Sequence, residues 1–141
     1  MEGYSNYIHP ELVKYSLEEQ VVGTFVNEKP LYQRTFIGTF INKGLNNKMY
    51  LFEYVLSVVD WNIDTFVYGT GSCKFNTPSN GYVYYISTED INLSTTLTVL
   101  RVCRVEYISS TNEIYVVVRT GSNDHKYTDC YITVWYTKTT D

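Results

Sequence analysis

The sequence has few of the residues that mark a disulfide-rich, metal-binding or nucleic-acid-binding protein. Its 141 residues include three cysteines without a C-x-x-C pair, so Cys73, Cys103 and Cys130 are predicted to be reduced structural thiols of a protein folded in a cytosol. The 11 lysines and arginines form no cluster, and the net charge is −4. We expect no binding to nucleic acid or to an anionic membrane, because both require a basic patch.

No hydrophobic run is long enough to cross a bilayer. The longest, MYLFEYVLSVVDW at residues 49–61, is interrupted by Glu53 and Asp60. The first 16 residues lack the cationic start, the apolar core and the cleavage site of a secretory signal. The sequence therefore predicts a protein that is not inserted into a membrane.

Motifs of catalysis and metal binding are also missing. The two histidines, His9 and His125, stand far apart, and the loop around His125 has neither H-x-H nor H-E-x-x-H spacing. The adjacent carboxylates Glu18–Glu19 and Glu89–Asp90 lie in polar segments, where charges usually face water. The GTGS stretch at 69–72 lacks the lysine of a phosphate-binding loop. We expect a protein that is not an enzyme and that binds no cofactor and no metal.

The abundant feature is aromatic side chains in alternating patterns. The chain has 15 Tyr, 6 Phe and 2 Trp, residues that suit both faces of a β-strand. Period-two alternation after residue 18 predicts strands. One face is shared by Tyr50, Phe52, Tyr54, Leu56 and Val58, and another by Ile114, Val116 and Val118. The residues predicted to point inward are Leu97, Val99, Cys103, Val105 and Tyr107, with Arg101 as the exception, and Cys130, Ile132, Val134 and Tyr136. A helix is the alternative over 49–61, and residues 69–81 are expected to be mostly loop.

Several short strands, frequent turn signals and the lack of a convincing long helix predict one all-β domain over residues 19–141. An antiparallel β-sandwich of jelly-roll-like type fits this pattern. Residues 1–18 are expected to form a short N-terminal arm, which is either extended or contains one helical turn after Pro10.

A candidate binding face follows from the last two predicted strands. If residues 113–120 and 128–138 pair as a hairpin with Thr120 opposite Thr128, then Tyr115, Tyr131 and Trp135 share the outward face. Their cross-strand neighbours on that face are Val117, Thr133 and Glu113. Four interpretations are open: a second buried face, a subunit interface, a platform on which sugar rings stack, or partial exposure without function.

Both ends of the domain resemble one family of proteins. The segment YSLEEQVVGTFVNEKPLYQRTF, from Tyr15 to Phe36, is similar to Y-S-x-E-E-x-V-V-G-T-W-x-D-G-K-P-L/I-Y-x-K/R-T, a pattern of tailed-bacteriophage virion proteins. The ending YITVWYTKTTD, from Tyr131 to Asp141, is similar to G-Y-V-T-V/L-x-Y-T-K-T-T-D in the same family. One departure concerns the turn. Glu28 replaces a glycine that suits positive φ, so we expect this turn to be longer or to use Asn27 and Lys29 differently.

The resemblance implies a non-enzymatic structural protein of a phage particle. Domains of this family form the C-terminal modules of tail fibres and head fibres, are often trimeric, and contact the host surface. The implied location is the virion surface, after folding in the host cytoplasm, and the implied partners are further copies of the chain and other virion proteins that the arm contacts. A host-surface glycan is a further candidate partner. A stand-alone carbohydrate-binding module is the alternative function.

Overall fold

A computed structural model describes residues 16–46, 49–76, 81–87, 101–120 and 126–141. Nine strands account for most of these residues. They are β1 Gln20–Thr24, β2 Pro30–Thr39, β3 Ile41–Asn46, β4 Met49–Ser57, β5 Ile63–Asn76, β6 Gly81–Ser87, β7 Arg101–Ile108, β8 Glu113–Thr120 and β9 Lys126–Lys138. One turn of 3-10 helix, Val59–Trp61, lies between β4 and β5. None of the helical structure in these residues is long or apolar enough to cross a membrane.

The strands form two antiparallel layers. One layer, here called the β9 sheet, has the order β1-β2-β9-β5-β6, and the other, the β8 sheet, has the order β7-β8-β4-β3. The layers are joined at one side, where β6 and β7 run parallel and pair only at Ser87 and Arg104. The predicted antiparallel β-sandwich is confirmed.

The core lies between the two layers and is largely aromatic. Phe36 of β2 packs on Tyr54 of β4 with ring centroids 6.1 Å apart, and Phe66 of β5 stacks on Tyr107 of β7 at 5.7 Å. The alternation identified the inner face wherever the side chains are described. The buried residues include Phe52, Val58, Val105, Ile114, Val116, Val118, Cys130, Ile132, Val134 and Tyr136, and Tyr50, Tyr54, Leu56 and Tyr107 pack against them.

The two layers approach each other closely at Gly38. Gly38 of β2 has no side chain, and a Cβ built there would overlap the ring of Tyr54 in the opposite sheet. The Tyr54 ring therefore occupies space that any larger residue at position 38 would require.

The segment that contains GTGSCKFN is strand and not loop. β5 continues to Asn76 because β9 pairs with it on one side and β6 on the other. Its small and polar residues do not prevent pairing, since the two neighbouring ladders satisfy the backbone groups. The expectation of loop over residues 69–81 is thus wrong for most of its length.

Cys73 of β5 and Cys130 of β9 face each other across the ladder, and both are fully buried thiols outside any disulfide bond. Burial raises the pKa of the Cys130 thiol to about 12, which keeps it protonated at neutral pH. For these two residues, the prediction of reduced structural thiols is confirmed.

The β1–β2 hairpin turns through three residues, Val26, Asn27 and Glu28. Phe25 donates its backbone N–H to the Lys29 carbonyl at 2.9 Å, and the Glu28 N–H is donated to the Phe25 carbonyl at 2.9 Å. Glu28 has a φ of 67°, the left-handed conformation that closes a three-residue hairpin loop. The expected longer turn is present, and Glu28 adopts the positive φ that glycine would favour there.

Residues 49–61 are a strand followed by the 3-10 turn, so the alternative of a helix is excluded. Several other features named above lie outside the described residues. They are most of the N-terminal arm, His9, His125, Glu89–Asp90, Leu97 and Val99, together with the side chain of Cys103.

Candidate functional site

Tyr115 lies on the opposite side of the sandwich from Tyr131 and Trp135. β8 pairs with β4 and β7, whereas β9 pairs with β2 and β5. The predicted hairpin of residues 113–120 with 128–138 is therefore wrong. A short connection joins two strands equally well within one sheet or between two, and both strands here find partners that are distant in sequence.

Tyr115 has acidic surroundings on the outer face of the β8 sheet. Val55 of β4 and Glu106 of β7 are its partners across the ladders. The carboxylate of Glu113 contributes most to raising the pKa of the Tyr115 phenol, followed by burial and by Glu53. This tyrosine cannot share a ligand with Tyr131 and Trp135, because the core separates the two faces.

Tyr131 and Trp135 remain together on the outer face of the β9 sheet. Each is the middle of a row of three side chains, because β9 lies between β2 and β5. The successive rows are Ile37–Tyr131–Ser72, Thr35–Thr133–Thr70 and Gln33–Trp135–Tyr68. The face therefore has an aromatic ring near each end and three threonines between them.

Trp135 is half-buried and held by both neighbouring strands. Its indole N–H donates to the Gln33 side-chain oxygen at 3.0 Å. The ring of Tyr68 packs beside it, with centroids 6.0 Å apart and planes inclined by 31°. Because its polar atom is already satisfied, Trp135 offers mainly ring surface.

The threonine row forms the floor of the face. The hydroxyl oxygens of Thr35 and Thr133 are 2.7 Å apart, and either of them can donate the hydrogen bond. Thr133 is only 6% exposed although its side chain points outward. It therefore lies at the bottom of a depression in the sheet surface.

This depression, here called the β9 groove, has a volume of about 570 Å³. Its lining residues are Leu17, Thr35, Ile37, Thr70, Gly71, Ser72, Tyr131 and Thr133, none of which carries a charge. Tyr131 is 43% exposed and forms one wall, and Ile37 and Leu17 are exposed beside it. A volume of this size is in the range of small-molecule sites.

The segment before β1 is fixed against β2 by two hydrogen bonds. The Thr35 backbone N–H donates to the Ser16 carbonyl at 2.9 Å, and the Arg34 side-chain Nε donates to the Leu17 carbonyl at 3.3 Å. Leu17, assigned from sequence to the arm, consequently contributes to the groove.

The sequence identified Tyr131 and placed Thr133 on the same face, but it did not identify the groove residues of β2, β5 and the segment before β1. The alternation in β2 separates Thr35 and Ile37 from the buried Phe36, so their outward orientation was available as a signal. No signal in the sequence indicates that they lie beside β9, because the two strands are about 100 residues apart and no local pattern specifies the pairing.

The residues that carry the resemblance to virion proteins contact one another. Glu19, from the first motif, accepts hydrogen bonds from the Tyr136 hydroxyl and, at 2.9 Å, from the Lys138 ammonium, both in the second motif. Tyr32 of the first motif donates to the Asp141 carboxylate at 2.6 Å. Glu19, expected in the sequence to face water, is thus half-buried and paired.

An aromatic stack supports this set of contacts. Tyr136 stacks between Trp61 at 5.5 Å and Tyr32 at 6.0 Å. The guanidinium of Arg34 lies 4.4 Å from the Trp61 ring, and the Lys138 ammonium lies 5.0 Å from the Tyr32 ring. The hydrogen bond to Asp141 is the main cause that raises the pKa of Tyr32 to about 12. Burial, and then Glu19, raises the pKa of Tyr136.

Within the described ranges, no group of three His, Cys, Asp or Glu side chains is arranged to hold a metal ion. The β9 groove itself has hydroxyls, one phenol and apolar side chains, a set suited to binding by contact and hydrogen bonding.

No protein-family model, no curated protein and no solved structure is detectably similar to this chain.

Proposed function

We propose that this chain is an exposed, non-enzymatic structural protein of a tailed-bacteriophage particle. It acts as a fibre or head-decoration module that attaches the particle to the host surface through many copies. The proposal starts from the similarity of Tyr15–Phe36 and Tyr131–Asp141 to virion proteins.

The observation that supports it best is the contact between the two motif segments. Glu19 binds Tyr136 and Lys138, and Tyr32 binds Asp141, so the two ends form one continuous part of the β9 sheet. A chance likeness at each end gives no reason for the matching positions to meet. Their meeting favours a single shared structural unit.

Multivalency supplies the mechanism. Attachment through repeated copies converts weak single contacts into strong overall binding without new contacts in each copy. The outer face of the β9 sheet is the surface we assign to external contact, because exposed Tyr131, Ile37 and Tyr68 lie there beside polar side chains.

The proposal is tested first on particles. Antibody raised against the full chain should label purified virions at a regular position on head or tail, and light scattering after size exclusion should give a closed oligomer, with a trimer expected. A strict monomer that is absent from purified particles would contradict the proposal.

The assigned face is tested with variants of the same type of residue. If it forms the subunit interface, Tyr131→Ala dissociates the oligomer, while Tyr115→Ala, on the opposite face, leaves it intact. If the face contacts the host, both variants stay oligomeric and only Tyr131→Ala reduces adsorption to cells.

A stand-alone carbohydrate-binding module is the second candidate, and the β9 groove favours it. An aromatic wall above a floor of hydroxyls is a suitable arrangement for a sugar, whose C–H face contacts the ring while its hydroxyls form hydrogen bonds. This candidate predicts a protein that binds a glycan in solution and does not copurify with particles.

A further inference from the structure

We infer that the β9 groove binds a neutral saccharide, with the Tyr131 ring against the face of the sugar. The inference rests on the proposed attachment function, since it names the class of ligand that the exposed face would contact.

The absence of charge among the lining residues selects against acidic ligands. The eight lining residues are uncharged, and so is the adjacent row of Gln33, Trp135 and Tyr68. In the next row beyond Tyr131, Asp129 and Lys74 are directly opposite each other, so their opposite charges offset each other locally. A uronic acid, a sialic acid or a phosphate in the groove would lose water without gaining a cation as partner, which is unfavourable.

The polar groups that remain are hydroxyls, which match those of a sugar. Thr35, Thr133, Thr70 and Ser72 lie on three adjacent strands around the floor. A hydroxyl both donates and accepts, so it can bind a sugar hydroxyl in either sense. The 2.7 Å contact of Thr35 with Thr133 leaves each oxygen a further lone pair for a ligand.

Aromatic side chains lie at two positions along β9 on this face. Tyr131 stands at one side of the threonine row, and the packed pair of Trp135 and Tyr68 stands at the other. Four residues of an extended strand span about 13 Å, so an oligosaccharide that lies along β9 can contact both ring surfaces. We therefore expect chains of two or more sugars to bind better than monosaccharides.

The test is a glycan array with the full chain, followed by titration calorimetry. The array carries neutral oligosaccharides of glucose, galactose and N-acetylglucosamine, together with matched chains that end in glucuronic or sialic acid. We expect binding to a subset of the neutral chains, at least about tenfold weaker for Tyr131→Ala because a stacked ring is lost. Tyr131→Phe should retain binding, and Tyr115→Ala should bind like the unmodified chain.

The inference is overturned by no binding to any neutral chain, by binding to acidic chains alone, or by binding that Tyr131→Ala leaves unchanged. Dissociation of an oligomer by Tyr131→Ala would also overturn it, since a second copy of the chain would then occupy the groove. Labelling of virions without neutral-glycan binding rejects the ligand class and leaves the attachment function standing. Neutral-glycan binding by a protein absent from virions rejects the attachment function and leaves the ligand class standing.

Discussion

The Glu19 carboxylate accepts a hydrogen bond from the Tyr136 phenol, which lies 117 positions later in the chain. Tyr136 is fully buried in the middle of the aromatic stack, and Glu19 immediately precedes β1 at the edge of the sheet. Among the described strands, β1 pairs with β2 alone. Glu19 is therefore a direct side-chain link between the start of the domain and its last strand.

Glu19→Ala should lower the free energy of unfolding by about 2 kcal/mol, because a buried phenol and a half-buried ammonium lose their shared acceptor. Urea denaturation followed by fluorescence measures the change. Glu18→Ala is the matched control, since Glu18 is exposed and should change stability by no more than about 0.5 kcal/mol. Equal effects of the two substitutions would contradict the assigned role of Glu19.

Glu28→Gly should stabilise the protein by about 1 kcal/mol, because Glu28 is held at a φ of 67°, a conformation costly for a residue with a Cβ. Calorimetric melting would detect the increase. Glu28→Ala separates this backbone effect from loss of the charge, and it should give no comparable gain. A rise in melting temperature for the alanine variant as large as for glycine would show that charge, and not φ, limits this turn.

Gly38→Ala should destabilise the protein by about 1–3 kcal/mol, because the added methyl overlaps the Tyr54 ring and forces the two sheets apart. Gly23→Ala is the control. Gly23 lies in β1, and a Cβ there would have no atom within 4 Å. Chemical denaturation of both variants tests the comparison, and a Gly38→Ala protein as stable as the unmodified chain would show that the layers adapt freely.

Stability should fall as the pH rises from about 10 to about 12. The pKa of Tyr32 is raised from 10.0 to about 12, so over this interval the folded protein retains a proton that the unfolded chain has lost. Unfolding then releases protons, and its free energy decreases with increasing pH. The raised pKa of Tyr136 acts in the same direction.

Urea midpoints measured across this interval test the alkaline destabilisation. Tyr32→Phe should have a shallower dependence on pH, because one phenol with a raised pKa is removed. An unchanged dependence in this variant would contradict the contribution of the Tyr32–Asp141 contact.

The inward side chains of β8 and β9 show how much of this fold can be predicted. From alternation alone, Ile114, Val116 and Val118 were assigned to one face, and Cys130, Ile132 and Val134 were assigned to the core, and all are fully buried. Alternation identifies the face of a strand, because successive side chains point to opposite sides of the sheet. It contains no information about which strand lies beside it.

The predicted grouping of the candidate site residues was wrong because the strand neighbours were wrong. Pairing β9 with its nearest neighbour in sequence placed Tyr115 beside Tyr131, whereas β9 pairs with β2 and β5. The groove is formed by these three strands and the segment before β1, so the sequence pattern of one strand could not identify most of its residues.

Composition and alternation by themselves determined that this chain is an all-β domain, that its core is aromatic and aliphatic, and which side chains of the last strands face inward. The tertiary structure alone decided that Glu19 meets Tyr136, that Tyr115 lies opposite the groove, and that Thr35, Thr133 and Thr70 form one row. The physical reason is that strand faces follow from backbone geometry over a few residues. Strand neighbours follow from the packing of two whole sheets, in which distant segments compete to bury the same surface.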